Sequence, residues 1–320
     1  MQDVDGLPLY WFDKLERGYK GKNETLRSYY FTELAVLRAF HDGKIGPDEA
    51  APAITRPISE SPMLVLGTYN DDVLALVPLW TLYTKALDEW PSSRIQDLIN
   101  LGLAISKLLD KIHQGEATDD NYEPMTWKDL PYFHMAWSDA HWKCPAYILK
   151  EEMDGAAKHQ ARDVYVRQQK VEAQLVAAGL LGWHVAGRVL YHALKQESAI
   201  PGQKTLDEGG EEEEEETKRI MSKERDEIGP LDFHIVAEDY WIEYVGDRVY
   251  SSLVQKELEE ETRRSESEGQ HQPSQPLKRW EYLIDHFQRA ATNALDSSTR
   301  EMAKATIKRM ERIREEARAV

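Results

Sequence analysis

Apolar residues in this chain recur at three- and four-residue steps over most of its length, and that spacing leaves little room for anything but helix. Residues spaced this way share one helical face, because about 3.6 residues complete a turn. After Asn23, in an N-cap position, Leu26, Tyr30, Leu34, Leu37 and Phe40 keep this step, and Gly43 supplies the stop. A second helix is expected to open at Asn70, with Asp71 and Asp72 complementing its dipole and Val73, Leu76, Val77, Trp80, Tyr83 and Leu87 forming its apolar face. Pro78 lies inside that run and predicts a kink or a split. Trp90-Pro91 ends the element, and Ser92 and Ser93 are candidate caps for the next.

The third helix carries Ile95, Leu98, Ile99, Leu109 and Ile112 on one face and stops at Gly115, before a polar loop over 115–124. An aromatic-dense stretch from Trp127 to Trp142 follows, where Pro131 suits a first helical turn. Further helices are expected over 159–178, ending at Gly179, over 182–195 and over 231–258, the last with Val236, Tyr240, Tyr244 and Val245. Two more close the chain: Leu277 to Ala294, with Trp280, Leu283, Ile284 and Phe287, and one opened by a capping box at Ser298 and Glu301. No segment shows two-residue alternation between turn signals; the only β-like run is Pro62 to Thr68. There is no repeat of fixed period. The expected fold is all-α, an irregular multi-helix bundle or array forming a single helical domain over residues 1–320.

Two stretches break the pattern. Residues 197–228 hold 12 acidic and 5 basic residues, a net of −7, including the unbroken Glu211–Glu216 run. So polar a stretch cannot bury enough apolar surface to offset its ordering entropy, and it reads as a disordered acidic insert. Residues 262–276, rich in Ser, Gln, Glu and Pro, read as a flexible linker before a C-terminal helical hairpin.

Charge and cysteine narrow the chemistry. With 40 basic against 57 acidic residues, the net charge of −17 repels nucleic acid and anionic lipid, so neither is an expected partner. No apolar run reaches the roughly 18–20 residues that span a bilayer, and no secretory signal is visible, so an intracellular location, cytoplasmic or nuclear, is expected. One cysteine, Cys144, excludes an internal disulfide framework. By the same logic Asn23-Glu24-Thr25 is a chance glycosylation sequon.

Each motif that hints at catalysis falls short of its requirements. The segment Gly182 to Arg188 echoes a phosphate loop, but Val189 follows where a hydroxyl must reach magnesium, and the context is helical. His134 and His141 flank Asp139 but lie seven apart, about 10.5 Å of helical rise, too far for one ion. His184 and His192, eight apart, fail likewise. Cys144 follows His141 by three residues, yet a nucleophile also needs a group to orient its base and an oxyanion hole. Paired carboxylates are too common in so acidic a chain for any to stand out as an acid–base couple. No catalytic, cofactor-binding or metal-ligating residue is therefore assigned, and no cofactor is expected. The nine Trp and fifteen Tyr residues read as core, since at helical spacing each buries a large apolar area. The final helix, mixing charges of both signs, reads as a solvated face with i,i+4 pairs rather than a nucleic-acid arm.

Four stretches together resemble a known family: Leu79-Trp80 through Trp90-Pro91 into the Ile95 to Leu109 helix; Trp127-Lys128-Asp129-Leu130-Pro131 with Trp137 downstream; residues 171–194, where a helix ends in Ala-Ala-Gly and the next begins with an aromatic; and Lys278-Arg279-Trp280 through Met310. They resemble the fungal family known as domain of unknown function 3632, over about residues 70–315. The resemblance implies a helical, non-secreted protein and carries no catalytic motif to any position here. The acidic insert is where this chain is expected to depart most from its relatives. The leading expectation is a non-catalytic interaction or regulatory module with a protein partner, since stacked amphipathic helices leave grooves suited to partner helices. The rival is a small-molecule-binding protein or metabolic enzyme with an aromatic-lined pocket built from Trp127, Tyr132, Trp137 and Trp142.

Overall fold

The computed structural model describes residues 11–19, 24–60, 76–109, 126–141, 155–182, 230–268, 278–294 and 296–319. Among these residues the fold is all-α, with no strand. The chain divides into two compact units, residues 1–142 and 143–320. The expected helix over 182–195, the β-like run at Pro62 to Thr68, the polar loop and the acidic insert all lie outside the described residues.

The first unit contains α1 (Trp11–Gly18), α2 (Glu24–His41), α3 (Pro47–Ser59), α4 (Leu76–Glu89), α5 (Ile95–Ser106) and α6 (Phe133–Ala140), with 3-10 turns at Ser92–Arg94 and Trp127–Asp129. Helix α2 packs on α1, α3 and α4; α5 packs on α3 and α4; α6 packs on α4. The stop after α2 is where the sequence places it. Gly43 takes φ +70, and the Lys44 N–H reaches back to the Ala39 carbonyl at 2.9 Å, the wrap of a Schellman end.

Two of these helices carry little local signal. Helix α1 has eight residues, too few to stand alone in water, and exists by burying Trp11, Phe12 and Leu15. Helix α3 contains Pro52 and Pro57 as well as Pro47 in its first turn. Interior prolines remove backbone donors, which hides the helix from a propensity reading. Ala50, Ala51, Ile54, Thr55 and Ile58 nevertheless form a continuous buried face, with Pro52 on the exposed side. Burial against α2 and α5 overrides the local penalty.

Other boundaries shift for local reasons. Pro78 is the third residue of α4 as described, and the expected opening at Asn70, with the turn that Pro78 was expected to kink, lies outside the described residues. Val77 faces outward, 42% exposed. Helix α5 ends at Ser106, with the Lys107 and Leu108 N–H groups bonded back to Ala104 and Ile105, so Leu109 is 96% exposed instead of part of the apolar face. Pro131 does not open a helix; it lies in the turn before α6.

The second unit contains α7 (Gly155–Ala177), α8 (Pro230–Glu268), α9 (Lys278–Asn293) and α10 (Ser297–Ala319). Helix α8, 39 residues long, packs on each of the other three. It extends through Glu268, so residues 262–268 of the expected linker are helical. Gly179 ends α7 at φ +80, again with a backward bond, Leu180 N–H to the Leu175 carbonyl at 2.9 Å. Gly246 lets α8 and α10 close up, since a Cβ there would meet Ile313 Cδ1 at 2.7 Å. The start of α10 differs from expectation by two residues. Asp296 is the cap: its Oδ2 accepts the Thr299 N–H at 3.1 Å, while Glu301 pairs with Lys304. A carboxylate directly before the helix takes the orphan donor that the Ser298 hydroxyl was expected to take.

Candidate functional site

In the first unit the aromatic residues gather where α4 meets α6. Trp80 is fully buried, and its ring centroid lies 5.2 Å from Phe133 and 6.4 Å from Trp127. Its indole N–H donates to the Pro131 carbonyl at 2.6 Å, and that of Trp127 donates to Ser59 Oγ at 3.1 Å. Tyr83 donates its hydroxyl to the Leu98 carbonyl at 2.7 Å, and burial pushes the phenol above its ordinary range. Leu130 and Tyr132, on either side of Pro131, both adopt left-handed backbone at φ 44 and φ 65. That conformation costs a non-glycine residue roughly 1–2 kcal/mol. The Trp80 bond to the intervening carbonyl clamps the turn.

Three of the four residues of the rival aromatic pocket lie among the described residues. Trp127 is consumed in the Trp80 cluster, whereas Trp137, also buried, sits 4.0 Å from the His141 ring. Tyr132 is half-buried in the strained turn, and Trp142 lies outside the described residues.

Of the histidines singled out by spacing, His134 is exposed, as is Asp139, while His141 turns inward past the end of α6. Its Nδ1 lies 2.8 Å from the Trp137 carbonyl, and its Nε2 lies 2.9 Å from Oδ1 and 3.1 Å from Oδ2 of Asp88. Both nitrogens thus face oxygens of the protein, one on its own helix and one on α4. His184, His192, Cys144 and the Gly182 to Arg188 segment beyond its first residue fall outside the described residues. Among the described residues no group of three or more His, Cys, Asp or Glu side chains could hold a metal ion.

The second unit holds a denser set of ionisable groups that local spacing did not reveal. From Asp232 to Asp239 every residue of α8 is buried, and four of the eight are polar: Asp232, His234, Glu238 and Asp239. Water cannot solvate such groups, so each needs an internal partner. Asp232 Oδ1 accepts the Asp296 N–H at 3.2 Å, and its carbonyl accepts Arg162 Nε–H at 3.0 Å. Asp239 Oδ1 accepts the Thr306 hydroxyl and an Arg309 N–H, both at 2.5 Å. Beside them, Trp241 Nε1–H donates to Gln169 Oε1 at 3.0 Å, and Gln169 in turn donates to Glu172 at 3.2 Å. These bonds join α7, α8 and α10 through side chains about 70 positions apart.

Glu238 and His286 form the deepest pair, each side chain 1% exposed, with Glu238 Oε2 and His286 Nε2 2.8 Å apart. The approach lies outside hydrogen-bond alignment, so its attraction is Coulombic when the imidazole carries both protons. A carboxylate beside an imidazole is the raw material of acid–base catalysis, but here it is sealed between α8 and α9. At the start of α10, hydrogen bonds from Ser298 and Thr299 hold the Asp296 carboxyl down at about 2 against a smaller opposing effect of burial.

These features define an all-α protein whose polar chemistry lies between its helices. The chain belongs to a family: the model described as protein of unknown function (DUF3632) matches residues 80–285, more than half of its length. That span opens on Trp80 and takes in the strained turn and the buried face of α8. Neither the curated proteins nor the solved structures contain a significant match to the chain. Among the described residues no helix is long and apolar enough to cross a membrane.

Proposed function

We propose that this chain is a non-catalytic interaction or regulatory module acting inside the cell, with another protein as its partner. The carrying observation is that two carboxyl–imidazole pairs among the described residues are spent on internal packing. His141 has both ring nitrogens occupied, and Glu238 with His286 is shut away at 1% exposure. A catalytic couple needs at least one group turned toward a substrate. The net charge of −17 directs the partner away from nucleic acid and anionic membrane.

Native mass spectrometry of the full chain purified from its own cells tests this reading. The expected result is a protein partner at fixed stoichiometry that survives the Glu238→Gln substitution. A retained small molecule, released by substitution of Trp127 or Trp137, would overturn the reading in favour of a ligand-binding pocket.

A further inference from the structure

Among the described residues α1 lies outermost on the first unit. Its Trp11, Phe12 and Leu15 are buried, and its other five residues are all exposed. It rests against α2 and the C-terminal end of α4. Trp11 Nε1–H donates to Glu89 at 2.6 Å, and the Trp11 and Phe12 rings meet Trp90 edge-on, with centroids 6.1 and 6.4 Å away. Arg38 lies over the Phe12 ring, 5.1 Å from its centroid, and pairs with Asp13. The Tyr30 hydroxyl reaches the Leu15 carbonyl at 3.4 Å.

The seat beneath α1 is held together by contacts that do not involve it. Trp90 stacks on Phe40 with centroids 6.3 Å apart and meets the His41 ring at 4.7 Å. Arg94, in the 3-10 turn after α4, donates to the His41 carbonyl at 3.1 Å and fixes the end of α2 beside that turn. Helix α1, by contrast, has eight residues and cannot stay helical alone in water. It takes its shape from the seat, as a bound peptide does. Two adjacent aromatic anchors and a leucine one turn on, with a polar remainder, are also what a helix presents to a groove. Lifting α1 bares the side of Trp90 that faces Trp11 and Phe12, and apolar surface of that kind calls for another cover.

We propose that this seat is the docking site for an amphipathic helix of a protein partner, and that α1 occupies it as an intramolecular stand-in when the partner is absent. The contacts of α1 define the partner's chemistry. It carries two adjacent aromatic residues, the first an indole whose N–H meets Glu89, then an acidic residue facing Arg38 and an apolar residue one turn on. A tethered α1 competes at high effective concentration, so it lowers the partner's apparent affinity in proportion to the fraction of seats left open. This docking site rests on the interaction-module reading, whose surface it names.

Fluorescence anisotropy of the full chain with a labelled peptide of residues 8–19 as the helix probe tests it. Trp11→Ala with Phe12→Ala should empty the seat, and that variant should bind the peptide about tenfold or more tightly than wild type. Asp13→Lys, at an exposed position, should act in the same direction by about two- to fivefold. Added to the emptied variant, Arg38→Glu should weaken the peptide about fivefold, and a peptide carrying Asp13→Lys should regain that loss. Equal binding by wild type and emptied variant, no binding by either, or a loss that the reversed peptide does not regain would overturn the docking site. So would loss of hydrogen-exchange protection in α3 and α5 of the emptied variant, because α1 would then be part of the core. A wild-type dimer that Trp11→Ala dissociates would assign the seat to a second copy of this chain and overturn the partner helix. A protein partner found by native mass spectrometry that binds the emptied variant equally well with and without Arg38→Glu would leave the module reading standing and overturn the seat as its docking face.

Discussion

The first unit buries Glu33 with no hydrogen-bond partner for its carboxyl among the described residues, whereas the second buries Glu238 2.8 Å from the His286 imidazole. Both side chains sit on long helices and both are cut off from water. The first can be tolerated only as a neutral acid, because burial acts on it unopposed. The second faces an imidazole on α9, which offsets part of the cost of taking a carboxylate out of water whenever the ring carries both protons. Burial by itself therefore does not set the state of an acid; the neighbour supplied by another helix does. The two units should consequently respond in opposite ways when one of these groups is altered.

The largest effect is expected from breaking the pair. His286→Leu should destabilise the second unit by on the order of 3–5 kcal/mol, because it strands a buried carboxyl. Adding Glu238→Leu should recover much of that loss, since an apolar pair replaces an ionic one. Chemical denaturation of the single and double variants measures both, and additive losses would show that the two side chains do not act as a pair. Trp280→Ala, which removes a fully buried ring 5.1 Å from Tyr250, should cost a similar ~3–5 kcal/mol through the cavity it leaves. Unfolding at the wild-type midpoint would contradict that.

Glu33→Gln should have the opposite sign and depend on pH. The folded state holds the Glu33 proton more tightly than the unfolded state, so its penalty is absent in acid and grows as pH rises above the ordinary carboxyl range. The variant should gain stability relative to wild type by up to about 1.4 kcal/mol per pH unit until folded Glu33 itself ionises. A difference that does not change between pH 4 and pH 8 would mean that Glu33 has a partner after all. Asp296 reverses the sign: its lowered folded value, about 2, contributes stability above pH ~4 that is lost as pH falls toward 2. Asp296→Ala should cost about 1 kcal/mol at neutral pH, typical of a lost N-cap, and much less at pH 2. The smallest effect is expected from the acidic stretch, whose composition predicts almost no buried area. Deleting residues 203–225 should move the thermal midpoint by no more than a few degrees, because shortening a loop changes closure entropy by only about 0.6 kcal/mol per halving.

Much of the fold was legible because it depends on neighbours three or four positions away. The Leu26 to Phe40 face, the stops at Gly43 and Gly179, and the burial of Trp80, Trp127, Trp137 and Trp280 follow from periodicity, turn chemistry and side-chain size. Trp183, expected to be buried with them, lies outside the described residues. Helices α1 and α3 were not legible, the first because it is short and the second because its prolines argue against the helix that burial imposes. The candidate sites were less legible still. The histidines that spacing brought forward ended apart, His134 in solvent and His141 on Asp88, while Glu238 and His286 passed without notice.

What the sequence determined alone is the all-α class and the turn-by-turn choice of buried face, since both arise from local backbone geometry and the apolar area each residue carries. Only the tertiary structure decided which polar groups meet. Asp88 and His141 are 53 positions apart, and Asp239 and Arg309 are 70. No local period links such distances. The packing of one helix on another brings a charge within reach of its counter-charge, or leaves an acid such as Glu33 with none among the described residues.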